Sequence, residues 1–397
     1  MDTSRIYRDD CLRAMNDTVA FPDESVDMIY IDPPFFTGKK QEMIWENEIR
    51  SYNDRWRGGI REYIEYMEPR LRHCYRILKP TGTLYLQCDW HANSYLRIML
   101  DKIFDTKAPR NEIIWFHDDT PGRPRHDFAR KHDTIFRYTK SKTGYTFNDM
   151  AIRVPIKAES RERYRSPRVL SGHTYTGGIS AEIGKIPEDV LKMPSVKQNS
   201  REAQGYRYQK PERLLRIFIA ASSNPGDVVL DPMCGCGTTL EVAQKMGRKW
   251  IGIDEIATAC DVVANRLRGI IPLTAGKVEL VNMPQTADDL KELTPADFQN
   301  WIIRAMGGRS KLKKSGDGGI DGYLFDTTPV QVKQQEHVGQ PAIRKFGADI
   351  EADGKKKGII VAFSFANRTV KRELAYQRIE KDVEITLKTV KEVLDEE

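Results

Sequence analysis

One stretch constrains this chain more than any other: an apolar strand that runs into a glycine-rich turn, a helix and a second strand. Residues 228–230 are Val-Val-Leu, and Asp231-Pro232-Met233-Cys234-Gly235-Cys236-Gly237-Thr238-Thr239 follows. A helix is expected over 238–246 and a strand over 250–253. Further apolar strands are expected at 26–31, 83–87 and 111–116, with helices at 59–79 and 211–222. Short strands alternating with helices indicate a parallel α/β sheet. Between 118 and 208 the pattern weakens, and Pro, Gly, Ser and Arg dominate. Residues 272–294 read as a linker. A smaller unit follows, with a helix over 295–306, strands near 319–333 and 358–364, and a helix near 368–380.

The chain has 397 residues, room for two or three domains. Its net charge of +6 permits a polyanionic partner without requiring one. No apolar run is long enough to cross a bilayer. The polar start, Met1-Asp2-Thr3-Ser4-Arg5, has no signal-peptide core, so a cytoplasmic location is expected. Six cysteines in a chain of this length suit reduced thiols better than a disulfide framework.

The glycines at 235 and 237 let the backbone approach a ligand closely, and the helix that follows presents free N–H groups. Asp231 sits at the C-terminal edge of its strand, where ligands bind in open α/β sheets. The strand over 250–253 ends in Asp254-Glu255, where an acid can accept hydrogen bonds from both hydroxyls of a ribose. No Gly-Lys-Ser/Thr is present, which argues against a triphosphate loop. Cys234-x-Cys236 without further Cys or His nearby makes a poor zinc site.

Asp32-Pro33-Pro34-Phe35 follows the strand over 26–31. The two prolines stiffen the turn and remove two N–H donors. A carboxylate, bare carbonyls and an aromatic face remain, a set that suits a planar base with an exocyclic amine. Asp32 and the Pro33 carbonyl can accept the amine hydrogens while Phe35 stacks on the ring. That arrangement turns the nitrogen lone pair towards an electrophilic methyl.

Together these segments resemble the amino-group DNA methyltransferases in which the catalytic motif precedes the cofactor motif. The resemblance covers about 5–268. Beyond the two turns it is carried by Leu78-Lys79-Pro80-Thr81-Gly82, Glu112-Ile113-Ile114-Trp115, Gln209-Lys210-Pro211 with Leu214 and Leu215, Asn224-Pro225-Gly226-Asp227 and Trp250-Ile251-Gly252-Ile253-Asp254. It implies a Rossmann-like methyltransferase sheet with an inserted recognition region. It implies S-adenosylmethionine bound by Asp231, Pro232, Cys234, Gly235, Gly237, Thr238, Thr239 and Asp254, with Lys210 and Pro211 along its methionine side. Asp32, Pro33, Pro34 and Phe35 would form the catalytic turn around the flipped base. Cys234 and Cys236 replace the family's usual aromatic or aliphatic residue and Ser, and Arg207-Tyr208 replaces Pro-Thr. Neither change removes a backbone contact, so activity is expected. Asp at the head of the tetrapeptide favours adenine N6 in this family, and Ser favours cytosine N4; amines of RNA or of protein amides are the other substrates such a turn suits.

The domain expected over 1–271 then contains a target-recognition region at 118–205. Arg161, Arg163, Arg165 and Arg168 cluster there around Tyr164 and can contact phosphates or read guanine. Reaching an amine inside double-stranded DNA requires base flipping, hence contacts beyond the pocket. The resemblance leaves a homodimer open.

Residues 295–397 resemble the Mrr-like members of the restriction-endonuclease fold, a small α/β domain, through Gly316-Asp317-Gly318-Gly319-Ile320-Asp321-Gly322 and Val330-Gln331-Val332-Lys333. The resemblance implies Asp321 as a Mg²⁺ ligand, Lys333 as the residue that positions water, and Gln331 in the place of a second acid. The family's Phe-Glu in the preceding helix is Phe298-Gln299 here, which weakens metal binding. The outcome is either a nuclease that spares its own methylated site or an inactive module that grips nucleic acid.

Overall fold

The computed structural model describes residues 4–38, 40–45, 48–53, 56–117, 124–156, 168–170, 173–175, 183–197, 199–203, 209–271, 278–311 and 319–396. The strands in chain order are β1 (Arg5–Arg8), β2 (Val26–Ile31), β3 (Lys40–Trp45), β4 (Glu48–Asn53), β5 (Leu78–Cys88), β6 (Asn111–Phe116), β7 (His132–Thr139), β8 (Arg168–Leu170) and β9 (His173–Tyr175). They continue with β10 (Val190–Lys192), β11 (Val228–Asp231), β12 (Lys249–Asp254), β13 (Glu279–Val281), β14 (Gly308–Ser310), β15 (Gly322–Leu324), β16 (Pro329–Lys333), β17 (Lys357–Ala362) and β18 (Glu384–Thr389). Two separate hairpins, β3–β4 and β8–β9, stand outside the main sheets.

The larger sheet runs β10-β6-β7-β5-β2-β11-β12-β1-β13. From its centre the order grows outward in two directions, so β2 and β11 flank the topological switch point. β2 is buried along its whole length. Its one acid, Asp27, accepts from Lys79 Nζ at 2.8 Å and from the Val228 N–H at 2.9 Å, which satisfies a carboxylate inside the sheet. Helices Cys11–Asn16, Ile60–Ile77 and Asn93–Ile103 pack one apolar core against one face. Helices Glu212–Ser222, Thr238–Lys245 and Ala257–Arg268 pack another against the opposite face.

The expectation of a parallel sheet needs one correction. β7 runs antiparallel to both β5 and β6. It lies within 118–205, the stretch expected to serve target recognition, and so does β10, which pairs with β6. His132, Asp133 and Arg137 break the apolar run of β7 and hide the strand in the sequence. Arg137 is nevertheless buried, with its guanidinium over the Tyr145 and Phe147 rings at 5.2 and 4.5 Å. The Lys79-Pro80-Thr81-Gly82 turn lies inside β5, where pairing with β2 jumps from Leu78 to Thr83.

The smaller sheet runs β14-β15-β16-β17-β18, antiparallel up to β16 and parallel beyond it. Helices Pro295–Ala305 and Val390–Glu396 cover one face, and Gln340–Ala352 and Asn367–Glu380 the other. Residues 272–294, expected to be a linker, are not one in their described part. β13 pairs with β1, and the helix Ala287–Lys291, closed by a capping box from Thr286 and Asp289, buries Leu290 in the smaller unit's core. Asp261 of one unit pairs with Arg304 of the other at 3.1 Å.

Candidate active site

Two turns leave the switch point side by side. β2 delivers Asp32-Pro33-Pro34-Phe35 and β11 delivers Asp231 and the glycine loop. Pro33 is buried, and Phe36 turns the chain with a left-handed φ of 60°, a conformation that costs energy outside glycine and here ends a rigid turn. The Tyr63 hydroxyl donates to the Pro34 carbonyl at 2.8 Å, and the Tyr63 ring lies 5.5 Å from Phe36 and 5.1 Å from Trp56. The helix Ile60–Ile77 therefore braces the turn from behind.

The Asp32 carboxylate is divided between two environments. Oδ2 accepts from the Lys210 ammonium. Oδ1 is buried and has no hydrogen-bond partner. Burial pushes the Asp32 carboxyl above the usual range, Asp133 adds to the rise, and Lys210 opposes it. Lys210 Nζ also lies over the Phe35 ring, 5.5 Å from its centroid.

The glycine loop is held from beneath by Asp231. Its Oδ2 accepts from the Thr239 hydroxyl at 2.6 Å and its Oδ1 from the Met233 N–H at 3.2 Å. Burial pushes Asp231 up to about 7 against these bonds. Gly237 has φ +74°, and a Cβ there would lie 2.7 Å from Val263, so the turn needs glycine twice over. Asp254 at the end of β12 accepts from the Gly235 N–H at 3.0 Å and the Ile256 N–H at 2.9 Å. Beside it, burial and the neighbouring Asp10 push Glu255 up to about 7. Cys234 and Cys236 are free buried thiols, and the Cys234 sulfur packs beside Gly252.

A cavity of about 750 Å³ joins the two turns. Of the residues expected at the site, Asp32, Pro33, Pro34, Phe35, Lys210, Asp231, Pro232, Cys234, Gly235, Thr238, Thr239 and Asp254 line it. Gly237 and Pro211 are not in its wall. Gly237 turns the loop, and Pro211 is the N-cap of the helix Glu212–Ser222. The donor set fits a nucleoside cofactor with a cationic centre: a strand-end acid beside glycine, and carboxylates facing an open volume.

The family described as DNA methylase matches residues 26–265, and the one described as restriction endonuclease matches residues 290–395. This chain belongs to the N6/N4 DNA methylases. The DNA adenine methyltransferase YhdJ of Escherichia coli (strain K12) is 31% identical over 241 residues, which are 61% of this chain and 76% of that protein. The type II methyltransferase M.BglII of Bacillus subtilis is 30% identical over 274 residues, 67% of this chain and 69% of that protein. The solved structure of TTHA0409 from Thermus thermophilus covers 70% of this chain and 100% of its own at 19% identity, with a TM-score of 0.46. As a DNA methylase this chain acts on DNA, and C-terminal to the methyltransferase part residues 290–395 match the restriction-endonuclease family. Among the described residues no helix is long and apolar enough to cross a membrane.

Sequence reasoning missed the far wall of the methylase's cavity, where Asp89, Trp115, His117 and Asp133 gather from the ends of β5, β6 and β7. Asp133 accepts from Gln87 Nε2 at 2.7 Å, and the Tyr30 hydroxyl donates to Gln87 Oε1. The only trace in the sequence is a pair of polar residues opening an otherwise aromatic and β-branched run, His132-Asp133-Thr134-Ile135-Phe136. Arg161, Arg163 and Arg165 lie outside the described residues, and Arg168 is described only as backbone in β8.

In the smaller domain Asp321 is buried, with Oδ2 accepting from the Val332 N–H at 2.8 Å. Gln331 donates to the Gly319 carbonyl at 2.6 Å, while its Oε1 is buried without a partner. Gln299 donates to the Asp321 backbone carbonyl at 3.3 Å, so it braces the strand end. The Gln331 Oε1 without a partner and the Asp321 carboxylate are one neutral and one charged oxygen of the kind a hard cation takes. Among the described residues no group of three or more His, Cys, Asp or Glu could hold a metal.

Proposed function

We propose that the methylase transfers a methyl group to N6 of an adenine flipped out of double-stranded DNA, and that Asp32 receives the amine. The observation that carries this reading is the buried Asp32 Oδ1 with no partner. A buried acceptor left unmade is costly, and an exocyclic N–H satisfies it. The Pro33 carbonyl takes the second amine hydrogen and Phe35 stacks on the ring, so the nitrogen lone pair faces the neighbouring cofactor end of the cavity. S-adenosylmethionine supplies an electrophilic methyl group when bound. Asp254 and the loop 234–239 would hold its nucleoside, with Asp231 keeping the loop in shape. After transfer the methylated nitrogen carries a positive charge, and Asp32 is placed to accept the proton it sheds.

Adenine is favoured because Asp heads the tetrapeptide, and because the E. coli relative that matches this chain is named a DNA adenine methyltransferase. Arg161, Arg163, Arg165 and Arg168 would hold the DNA around the flipped base. The enzyme would work in the cytosol, and Asp321 with Gln331 would hold a weakly bound Mg²⁺ beside Lys333. The test is incubation of the full chain with unmodified genomic DNA and methyl-labelled S-adenosylmethionine, then digestion to nucleosides. Labelled N6-methyladenine is expected. Label in N4-methylcytosine overturns the base assignment, and no labelled nucleoside overturns the reading.

A further inference from the structure

The side chain that meets Asp32 comes from far along the chain. Lys210 lies 178 residues away in sequence, just before the helix Glu212–Ser222. Its backbone is fixed: Gln209, Lys210 and Pro211 are all buried, and Gln209 Nε2 donates to the Glu202 carbonyl at 2.7 Å. The ammonium group therefore arrives at Asp32 from a rigid support, with its side chain only 10% exposed. It engages Oδ2 and leaves Oδ1 open, and the same group lies over the Phe35 ring. One cation thus ties together the two side chains expected to hold the base.

We propose that Lys210 is a positioning residue for methyl transfer: by holding Oδ2 of Asp32 and facing Phe35, it aims Oδ1 at the base amine and keeps the carboxylate ionised. The proposal rests on the role given to Asp32 above. It departs from the resemblance, which places Lys210 only along the cofactor.

Among the described residues no other cation is shown to interact with the carboxylate. Every other titratable group shown to interact with Asp32 is acidic: Tyr30 on its own strand, Cys88 on β5, Asp133 on β7 and Asp231 on β11. Burial and Asp133 favour a protonated Asp32, which would turn the acceptor into a donor. Lys210 itself stays charged. Burial works against its charge, but Asp32 and Asp133 outweigh burial and hold it above the ordinary lysine value, with Cys236 adding to them. Asp133 in turn is steadied by Gln87 and by His117 at 3.7 Å.

The experiment compares the full-length wild type with K210M, K210Q and K210R. It measures methylation of unmodified genomic DNA against pH and S-adenosylmethionine affinity by calorimetry. An opposite charge at contact distance moves a carboxylate by about 1–3 pH units. The acid limb of kcat in K210M should therefore move up by about one unit or more, with kcat at neutral pH down roughly tenfold. Cofactor affinity should stay within about threefold, since the loss falls on kcat rather than on binding. K210R should restore the limb. K210Q keeps a donor without the charge, so its limb should move with that of K210M, and it carries the test if K210M does not fold. A K210M or K210Q enzyme with the wild-type limb and kcat overturns the proposal. So does a variant that loses cofactor affinity while kcat is kept, which would make Lys210 a cofactor ligand alone. A D32A enzyme that still methylates would instead remove the role of Asp32, a distinct failure.

Discussion

Asp254 ties two neighbouring strands together through the ligand loop: its carboxylate, at the end of β12, accepts the Gly235 N–H of the turn that leaves β11. Asp254 also lines the cavity wall, where ribose hydroxyls can reach its carboxylate. D254A should weaken S-adenosylmethionine binding by about 1–3 kcal/mol, the cost of losing charge-assisted hydrogen bonds. Calorimetry reads this directly. An unchanged affinity would move the ribose contact elsewhere, with Glu255 the next carboxylate in the wall.

Cofactor affinity should also depend on pH. Asp231 and Glu255 both titrate near 7, pushed up chiefly by burial. A sulfonium cation favours their ionised forms, so binding lowers both pKa values and releases protons around neutrality. Affinity should therefore rise as pH increases through 7. Calorimetry in buffers of different ionisation enthalpy measures the proton release. Equal affinity on both sides of neutrality, with no protons released, would contradict the assignment of these acids to the cofactor end.

Gly252 sits where the loop, the strand and the helix Thr238–Lys245 converge. A Cβ there would lie 2.4 Å from Leu240 Cδ1 and 3.1 Å from Cys234 Sγ, both in the buried core. G252A should destabilise the fold by about 1–3 kcal/mol through overpacking. Denaturant unfolding checks this, and a variant as stable as the wild type would mean that Leu240 can move aside.

The smaller domain predicts weak chemistry. Mg²⁺ favours hard, charged oxygens, and Gln299 and Gln331 stand where carboxylates would serve it better. Cleavage of unmethylated DNA should need high Mg²⁺ and should stop in K333A while methylation continues. D321A is the less clean variant, because it also strips the Val332 N–H of its partner. The readout is strand scission across a Mg²⁺ titration, with and without S-adenosylmethionine. Cleavage that survives K333A would mean that the site is misplaced.

Much of this was legible in the sequence because it is local. The strand Val26–Ile31 and the strand Asn111–Phe116 agree to the residue with the apolar runs that predict them, and the Asp32 turn and the glycine loop both sit at strand ends as their motifs require. What was not legible depends on pairing across the sheet. β7 reads as polar because Asp133 and Arg137 interrupt it, and partners that are distant or in the following loop make those charges tolerable: Gln87 and His117 for Asp133, Asn111, Tyr145 and Phe147 for Arg137. The Lys210–Asp32 contact was hidden for the same reason, since no spacing rule joins residues 178 apart. β13 was hidden because three residues, Glu279–Val281, carry no periodicity.

Asp32 is expected to hold a base amine in DNA and not the cofactor. The most direct test of this role is sequencing that detects modified bases in DNA from cells expressing the wild type or D32A, with cofactor affinity measured on both purified proteins. N6-methyladenine at a defined site is expected with the wild type and none with D32A, while the two bind S-adenosylmethionine nearly equally. Methylated adenine in cells carrying D32A would contradict that role.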